Sequence, residues 1–174
     1  MGWCREEFAL LGQDFSSRGR RTDESLDLLE RLWRPGWTES QASTTRHPGS
    51  PWSRHQPRAP IYVGGLSEPA LARAARHDGW IGDLYTIEEA ARHARRLAEL
   101  RADAGAEGDF RVITALTDAF LPEHFARAHE HGVTDVWTMP WAYDHGLEAT
   151  LAQKLEGIRR FAEDVMVPLA QGSK

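Results

Sequence analysis

A single cysteine, Cys4, stands in 174 residues, so the chain can build neither an intramolecular disulfide framework nor a cysteine zinc site. A free thiol in a reducing compartment is expected. Long apolar runs are missing too. Nothing approaches the roughly 18 residues needed to cross a bilayer, and the start, Met1-Gly2-Trp3-Cys4-Arg5-Glu6-Glu7, lacks the basic and then apolar order of a secretory signal. The expectation is a cytoplasmic protein that does not enter a membrane. A dominant charge is also absent. With 27% charged residues and a net charge of −5, no long-range field draws the chain to nucleic acid or an anionic surface, which leaves a small-molecule substrate as the expected partner.

What is present alternates. From Ile61 onward short β-rich runs are followed by longer helical patterns, the signature of β/α units on a parallel sheet. The strands are predicted at Ile61 to Val63, at Trp80 to Ile81 with neighbours, at Phe110 to Leu116 and at Thr134 to Met139. Ser67 can cap the first helix, with Glu68 and Pro69 in its first turn and Leu71, Ala74 and Ala75 inward; Asp78-Gly79 ends it. The second helix opens on a capping box, Thr86 with Glu89, buries Ala90, Ala94 and Leu97, and stops at Gly105. The third runs from about Pro122 to His131 with Phe125 and Ala128 inward and Gly132 as terminator. In the fourth, Leu147, Leu151, Leu155, Ile158, Ala162 and Val165 form one apolar face, which is expected to pack on the outside of the sheet and to stop at Pro168.

Upstream, Thr22 to Trp33 reads as a helix capped by Thr22 with Leu26, Leu29 and Trp33 on one side. No strand precedes it, which suggests that earlier β/α units are absent from the chain. Between Arg34 and Pro60 the composition turns to Pro, Ser, Thr, Arg and His without period, so a flexible insert at 34–60 is expected, either a lid or a stretch without function.

Two clusters invite a chemical reading and do not sustain one. His124, His129 and His131 stand five and two apart, whereas ligands sharing a helix face are three or four apart, so no metal is expected. Arg92, Arg95, Arg96 and Arg101 interleave with Glu88, Glu89 and Glu99 as a solvated helix face. More informative is Gly64-Gly65, which ends a strand and opens a helix at Ser67. Without Cβ atoms the backbone can approach a phosphate, and free amides at the helix start with the Ser67 hydroxyl favour negative charge. An ordinary tight turn with Ser67 merely capping fits the same residues.

The string Pro60-Ile61-Tyr62-Val63-Gly64-Gly65-Leu66-Ser67 resembles the P-I-x-V-G-G-x-S segment of bacterial luciferase-like monooxygenases and their deazaflavin-dependent relatives. Further matches fall in the same order: Gly2-Trp3 with Glu6-Glu7-Phe8, Arg18-Gly19-Arg20 with Asp23-Glu24, Asp78-Gly79-Trp80, and Gly132-Val133-Thr134-Asp135 leading to Pro140-Trp141. The 34–60 stretch departs from the family, whose members usually carry a more apolar insert there. The resemblance implies an α/β fold of the TIM-type (β/α)8 barrel family, here about four C-terminal β/α units in one partial domain spanning 1–174. It implies an oxidoreductase that uses FMN or the deazaflavin coenzyme F-420 for hydride transfer or oxygenation of a small organic substrate, possible use of a reduced nicotinamide, and a homodimer. The cofactor-binding residues it points to are Gly64, Gly65, Ser67, Trp80, Gly82 and Trp3. Trp80 is either core or a cofactor contact, Trp3 either lines the pocket or frays at the terminus, and Trp141 either borders the ring system or closes the rim. Acid–base groups would come from the first four strands of such a barrel, so no catalytic residue is named. The alternative implied is a non-catalytic flavin-binding or dimerisation module.

Overall fold

Two periodicities build the described part of the chain: alternation in short strands and a three-to-four step in the helices between them. A computed structural model describes residues 2, 4–34, 36–41, 46–52 and 58–172, with backbone alone for 36–41 and 46–52. The N-terminal part holds α1 (Arg5–Leu10), a single 3-10 turn (Phe15–Ser17) and α2 (Arg18–Leu32). An antiparallel ribbon of β1 (Gly36–Gln41) and β2 (Arg46–Trp52) follows. The remainder is a β/α succession: β3 (Tyr62–Gly64), α3 (Glu68–Ala74), β4 (Gly79–Tyr85), α4 (Ile87–Asp103), β5 (Arg111–Leu116), α5 (Pro122–Glu130) and β6 (Asp135–Val136). It closes with α6 (Ala142–His145), α7 (Leu151–Phe161), a π-helical turn (Ala162–Met166) and α8 (Val167–Gly172).

The sheet is four-stranded and parallel, in the order β3-β4-β5-β6. Each strand pairs with the next in sequence, without the reversal of order seen in doubly wound sheets. In register, Val63, Trp80 and Val112 form one row. That row is buried with Leu71 and Ala74 of α3 and Ala94 and Leu97 of α4. A second cluster continues the layer, with Ile87 and Ala90 of α4 against Leu116, Ala119, Ala128 and Val133. The opposite face is uncovered among the described residues: Tyr62, Ile81 and Leu84 are exposed. Parallel sheets normally bury both faces, so this bare face is an unusual feature of the described chain.

Several sequence expectations are met at the residue level. The Thr86–Glu89 capping box forms in both directions, Gly105 takes a φ of 60° just beyond α4, and Gly132 takes 93° beyond α5. Others need correction. Thr22 does not cap: α2 begins at Arg18, and the Thr22 hydroxyl donates back to the Arg18 carbonyl inside the helix. Residues 34–60 contain the β1–β2 ribbon where an irregular stretch was expected; its pairing is backbone hydrogen bonding, which leaves no apolar period in the sequence. The fourth predicted strand shrinks to two residues, Asp135–Val136, at the edge of the sheet. Pro168 does not end the last helix. The π turn lies just before it, where the missing proline amide and its ring disturb the helical ladder, and α8 carries the chain on. Nor does the expected apolar face pack on the sheet: Leu147 lies outside α7, and Leu147, Leu151, Leu155 and Ile158 are exposed while Val165 is buried.

α2 is fastened to α3 by a salt bridge that crosses the layer. Arg73, nearly fully buried, pairs its Nε with Asp23, donates from Nη2 to the second Asp23 oxygen at 2.9 Å and to the Gly19 carbonyl at 3.1 Å. Hydrogen bonding to Arg73 outweighs burial and holds the Asp23 carboxyl below its usual range. Asp78 has a comparable role at the start of the sheet. One oxygen accepts the Ile61 amide at 2.7 Å and the other accepts Arg58 at 2.8 Å. Burial pushes its pKa up, but these two hydrogen bonds prevail and keep it low.

A candidate anion-binding cleft

The C-terminal ends of β3 and β4 open into a cleft of about 610 Å³. Its walls come from the β3–α3 loop (Gly65, Leu66, Ser67), from Ala70, from the end of β4 (Ile81, Gly82, Asp83, Tyr85), and from Gly2 and Arg18 across the gap. Strand C-termini are where parallel β/α folds place their ligands. A larger cavity of about 790 Å³ lies away from this end, between α5, β6 and the C-terminal helices, and is lined mostly by apolar groups such as Phe125, Trp141, Phe161 and Met166. It gathers few polar groups, so the chemistry concentrates in the smaller cleft.

The loop has the geometry sequence reasoning asked for, by a different device at one point. Gly65 takes a φ of 119°, in the region that favours glycine, and a Cβ there would stand 2.9 Å from the Ala70 Cβ. Ser67 is in extended conformation at the N-cap of α3, yet its hydroxyl makes no capping bond; the Ser67 carbonyl accepts from Ala70 and Leu71. The predicted cap is therefore corrected: the hydroxyl is left available on the cleft wall. The Leu66 and Ser67 amides donate to no backbone acceptor among the described residues. α3 has seven residues, so its dipole adds little, and what the loop offers is its unpaired amides and the Ser67 hydroxyl.

Behind the loop stands Trp80. It is fully buried, and its indole N–H donates to the Gly65 carbonyl at 2.9 Å. Of its two sequence readings the structure takes the core one, and Trp80 does not line the cleft. It fixes the glycine loop from beneath. Gly82 lines the cleft and lies directly on the Trp80 ring: a Cβ at Gly82 would come within 2.7 Å of Trp80 Cζ3 and 2.9 Å of Thr114 Oγ1. A break in register between Ile81 and Leu84 inserts one extra residue of β4 here. Such bulges turn side chains out of the pleat and often stand beside functional sites. The Asp83 carbonyl is satisfied by the buried Thr114 hydroxyl at 2.6 Å, which sets the Asp83 carboxylate at the cleft. Gly64, at the end of β3, pairs with Ile81 and does not border the space. Trp3 lies outside the described residues.

Three cleft groups escaped the sequence reading. Arg18 is the cation. Its Nη1 donates to the Phe15 carbonyl at 2.9 Å and its guanidinium lies 3.7 Å from the centre of the Phe15 ring; no salt bridge to it is present among the described residues. The docking of α2 against α3, through Arg73 with Asp23 and through Leu26 packed on the core, brings it to the cleft that Ser67 lines, and no sequence period signals that. Asp83 and Tyr85 belong to the part of β4 beyond the predicted strand. The Tyr85 ring packs on Trp80 (6.0 Å between centroids) and His93 (4.9 Å). Burial pushes the Tyr85 phenol up, with the Asp83 amide acting in the other direction. Burial, with Arg92 alongside, lowers His93. Among the described residues no group of three His, Cys, Asp or Glu side chains is placed to hold a metal, and no helix is long and apolar enough to cross a membrane.

Comparison with known proteins gives a consistent picture. The profile of the family described as luciferase-like monooxygenase matches residues 1–131. Uncharacterized proteins of Mycobacterium tuberculosis strains H37Rv and CDC 1551 and of Mycobacterium bovis are each 30% identical over 165 residues, which covers 92% of this chain. The chain spans 57% of the length of these curated relatives.

Proposed function

Since the chain belongs to the luciferase-like monooxygenase family, we propose that its cleft holds the phosphate end of FMN or of a deazaflavin coenzyme, as part of a TIM-type oxidoreductase acting on a small organic substrate. The observation that carries this reading is that one cleft at the strand ends is lined by Leu66 and Ser67, whose amides donate to no backbone acceptor among the described residues, with the Ser67 hydroxyl free of capping, and by Arg18. An oxyanion satisfies all of them at once. Asp83, a carboxylate on the same cleft, is unfavourable to a phosphate placed next to it and suited to accept from sugar-alcohol hydroxyls further along. A ligand carrying both a phosphate and a ribityl chain matches this division, and FMN and the deazaflavin coenzyme each carry both.

When bound, such a cofactor supplies hydride transfer, or with a flavin the activation of oxygen. The residues of this chain do something else. Gly65 and Gly82 let backbone come close to the ligand, Trp80 holds the Gly65 carbonyl and with it the direction of the loop, and Arg18 neutralises charge. Gly64 supports the loop from the end of β3. No acid or base for the reaction is assigned among the described residues.

A second reading, a binding module without turnover, is favoured by the bare sheet face. Tyr62, Ile81 and Leu84 stand exposed, Ile81 on the cleft wall itself, so the described chain by itself does not exclude water from a reacting centre. Titration of the purified chain with FMN and with the deazaflavin coenzyme, followed by absorbance and fluorescence, tests both. Binding followed by oxidation of a reduced nicotinamide or reduced deazaflavin supports the enzyme; binding without turnover supports the module. Failure to bind either cofactor rejects the cofactor site in this chain.

A further inference from the structure

Arg18 belongs to a second space as well as to the cleft. Positions 18, 21 and 25 follow one another at steps of three and four, so Arg18, Arg21 and Ser25 share a face of α2. Together with Glu7 and Gln13 they line a bay of about 320 Å³, which adjoins the cleft because Gly2 and Arg18 line both. Cations are in excess there. Arg18 and Arg21 stand with the single carboxylate of Glu7, and Arg5 is near: its guanidinium lies 4.5 Å from the centre of the same Phe15 ring that Arg18 approaches to 3.7 Å. No salt bridge to Arg5, Arg18 or Arg21 is present among the described residues, whereas Arg58, Arg73, Arg96, Arg111 and Arg159 each pair with a carboxylate. Like charges gathered without counter-ions repel one another and favour an anion among them.

We propose that this bay takes a carboxylate carried beyond the phosphate, which makes the deazaflavin coenzyme, and not FMN, the ligand this chain selects. The proposal rests on the phosphate reading of the cleft and decides between its two cofactors. The distinction is chemical. In FMN the phosphate is a terminal monoester, so a phosphate seated in the cleft leaves the bay unused. In the deazaflavin coenzyme the phosphate is a diester that continues through a lactyl group into a glutamyl tail with free carboxylates. Arg21 supplies the charge for such a carboxylate and the Ser25 hydroxyl a further donor. Glu7, the one acceptor of charge opposite in sign, suits the amide N–H of a glutamyl linkage. Arg18, a wall of both spaces, serves the phosphate and the tail together.

The test compares two forms of the coenzyme that share ring, ribityl chain and phosphate: the glutamylated form and the phospholactyl form that lacks the glutamates. Both are titrated by fluorescence, with FMN alongside. The unsubstituted protein should hold the glutamylated form about fivefold or more tighter than the phospholactyl form, and the difference should shrink as salt is raised. Arg21→Gln should remove most of that difference by weakening the glutamylated form alone, with the phospholactyl form and the ligand-free Tm unchanged. Equal affinity of the unsubstituted protein for the two forms overturns the proposal, while binding of either form or of FMN leaves the phosphate reading in place. FMN bound more tightly than the glutamylated coenzyme overturns the selection. A difference that survives Arg21→Gln overturns the proposal by placing the tail elsewhere, and an equal loss for both forms overturns it by putting Arg21 on the phosphate or in the fold. If FMN and both coenzyme forms fail to bind, the phosphate reading falls and the proposal with it, and that measurement involves no variant.

Discussion

Gly82→Ala is a substitution whose cost depends on one neighbour, and that dependence can be measured. The added methyl would come within 2.7 Å of Trp80 Cζ3 and 2.9 Å of Thr114 Oγ1, closer than non-bonded carbons tolerate. Overpacking of this kind costs about 1–3 kcal/mol. Gly82 does not have a positive φ, so alanine also returns about 0.5–1 kcal/mol through the unfolded chain. The net expectation is a loss of about 1–2 kcal/mol. Trp80→Phe alone loses the bond to the Gly65 carbonyl and part of a fully buried ring; an orphaned acceptor and a partial cavity together cost about 2–4 kcal/mol. In the double variant the methyl added at position 82 enters the space the larger ring vacated. The pair should therefore cost at least about 1 kcal/mol less than the two single losses combined. Urea unfolding followed by far-ultraviolet circular dichroism measures all three variants, because seven tryptophans make fluorescence hard to attribute. Additivity within about 0.5 kcal/mol would refute the contact, and with it the claim that Gly82 is glycine to accommodate Trp80.

Three further outcomes are expected. Ser67→Ala should leave unfolding free energy within about 0.3 kcal/mol of the unsubstituted value, where loss of a true cap costs about 0.5–2 kcal/mol, while phosphate affinity measured by calorimetry falls; an unfolding loss of about 1 kcal/mol or more would restore the capping role. Arg18→Met should weaken phosphate and FMN binding about tenfold or more and flatten the dependence of log affinity on salt, since the cation responsible is gone; an unchanged salt slope would remove Arg18 from the site. The third concerns acid. Asp23 and Asp78 have folded-state pKa values held below the ordinary carboxylate range, so the unfolded chain binds protons first. Their stabilisation is complete above about pH 4, the unfolded aspartate value, and is lost as pH falls through the lower folded values. Asp23→Asn should accordingly be less stable at neutral pH and show a shallower loss of stability below about pH 4, read by urea midpoints across that range; an unchanged slope would rule out the Arg73 pair as its source.

The β/α succession was legible because its signals are local. A three-to-four step of apolar residues, a capping box at Thr86 and Glu89, and glycines at 105 and 132 act within a turn or two of backbone, and each appears where expected. Pairing between distant segments leaves no such mark. The β1–β2 ribbon pairs through its backbone and includes two prolines, Pro48 and Pro51, that would count against a strand on sequence grounds, and the fate of the Leu151, Leu155 and Ile158 face depends on what lies opposite it, not on its own period.

The candidate site divides along the same line. By itself the sequence determined that Gly65 and Ser67 lie at the junction of a strand and a helix, because glycine permits a φ of 119° there and Pro69 suits the first helical turn. Tertiary structure decided the rest. It put Trp80 beneath the loop instead of on the ligand, freed the Ser67 hydroxyl from capping, displaced β4 by one residue so that Asp83 reached the cleft, and brought Arg18 across from α2 by way of the Arg73–Asp23 pair. These are contacts between residues far apart in the chain. Their energies depend on distances set only after the sheet and its helices have packed, which is why no local pattern announces them.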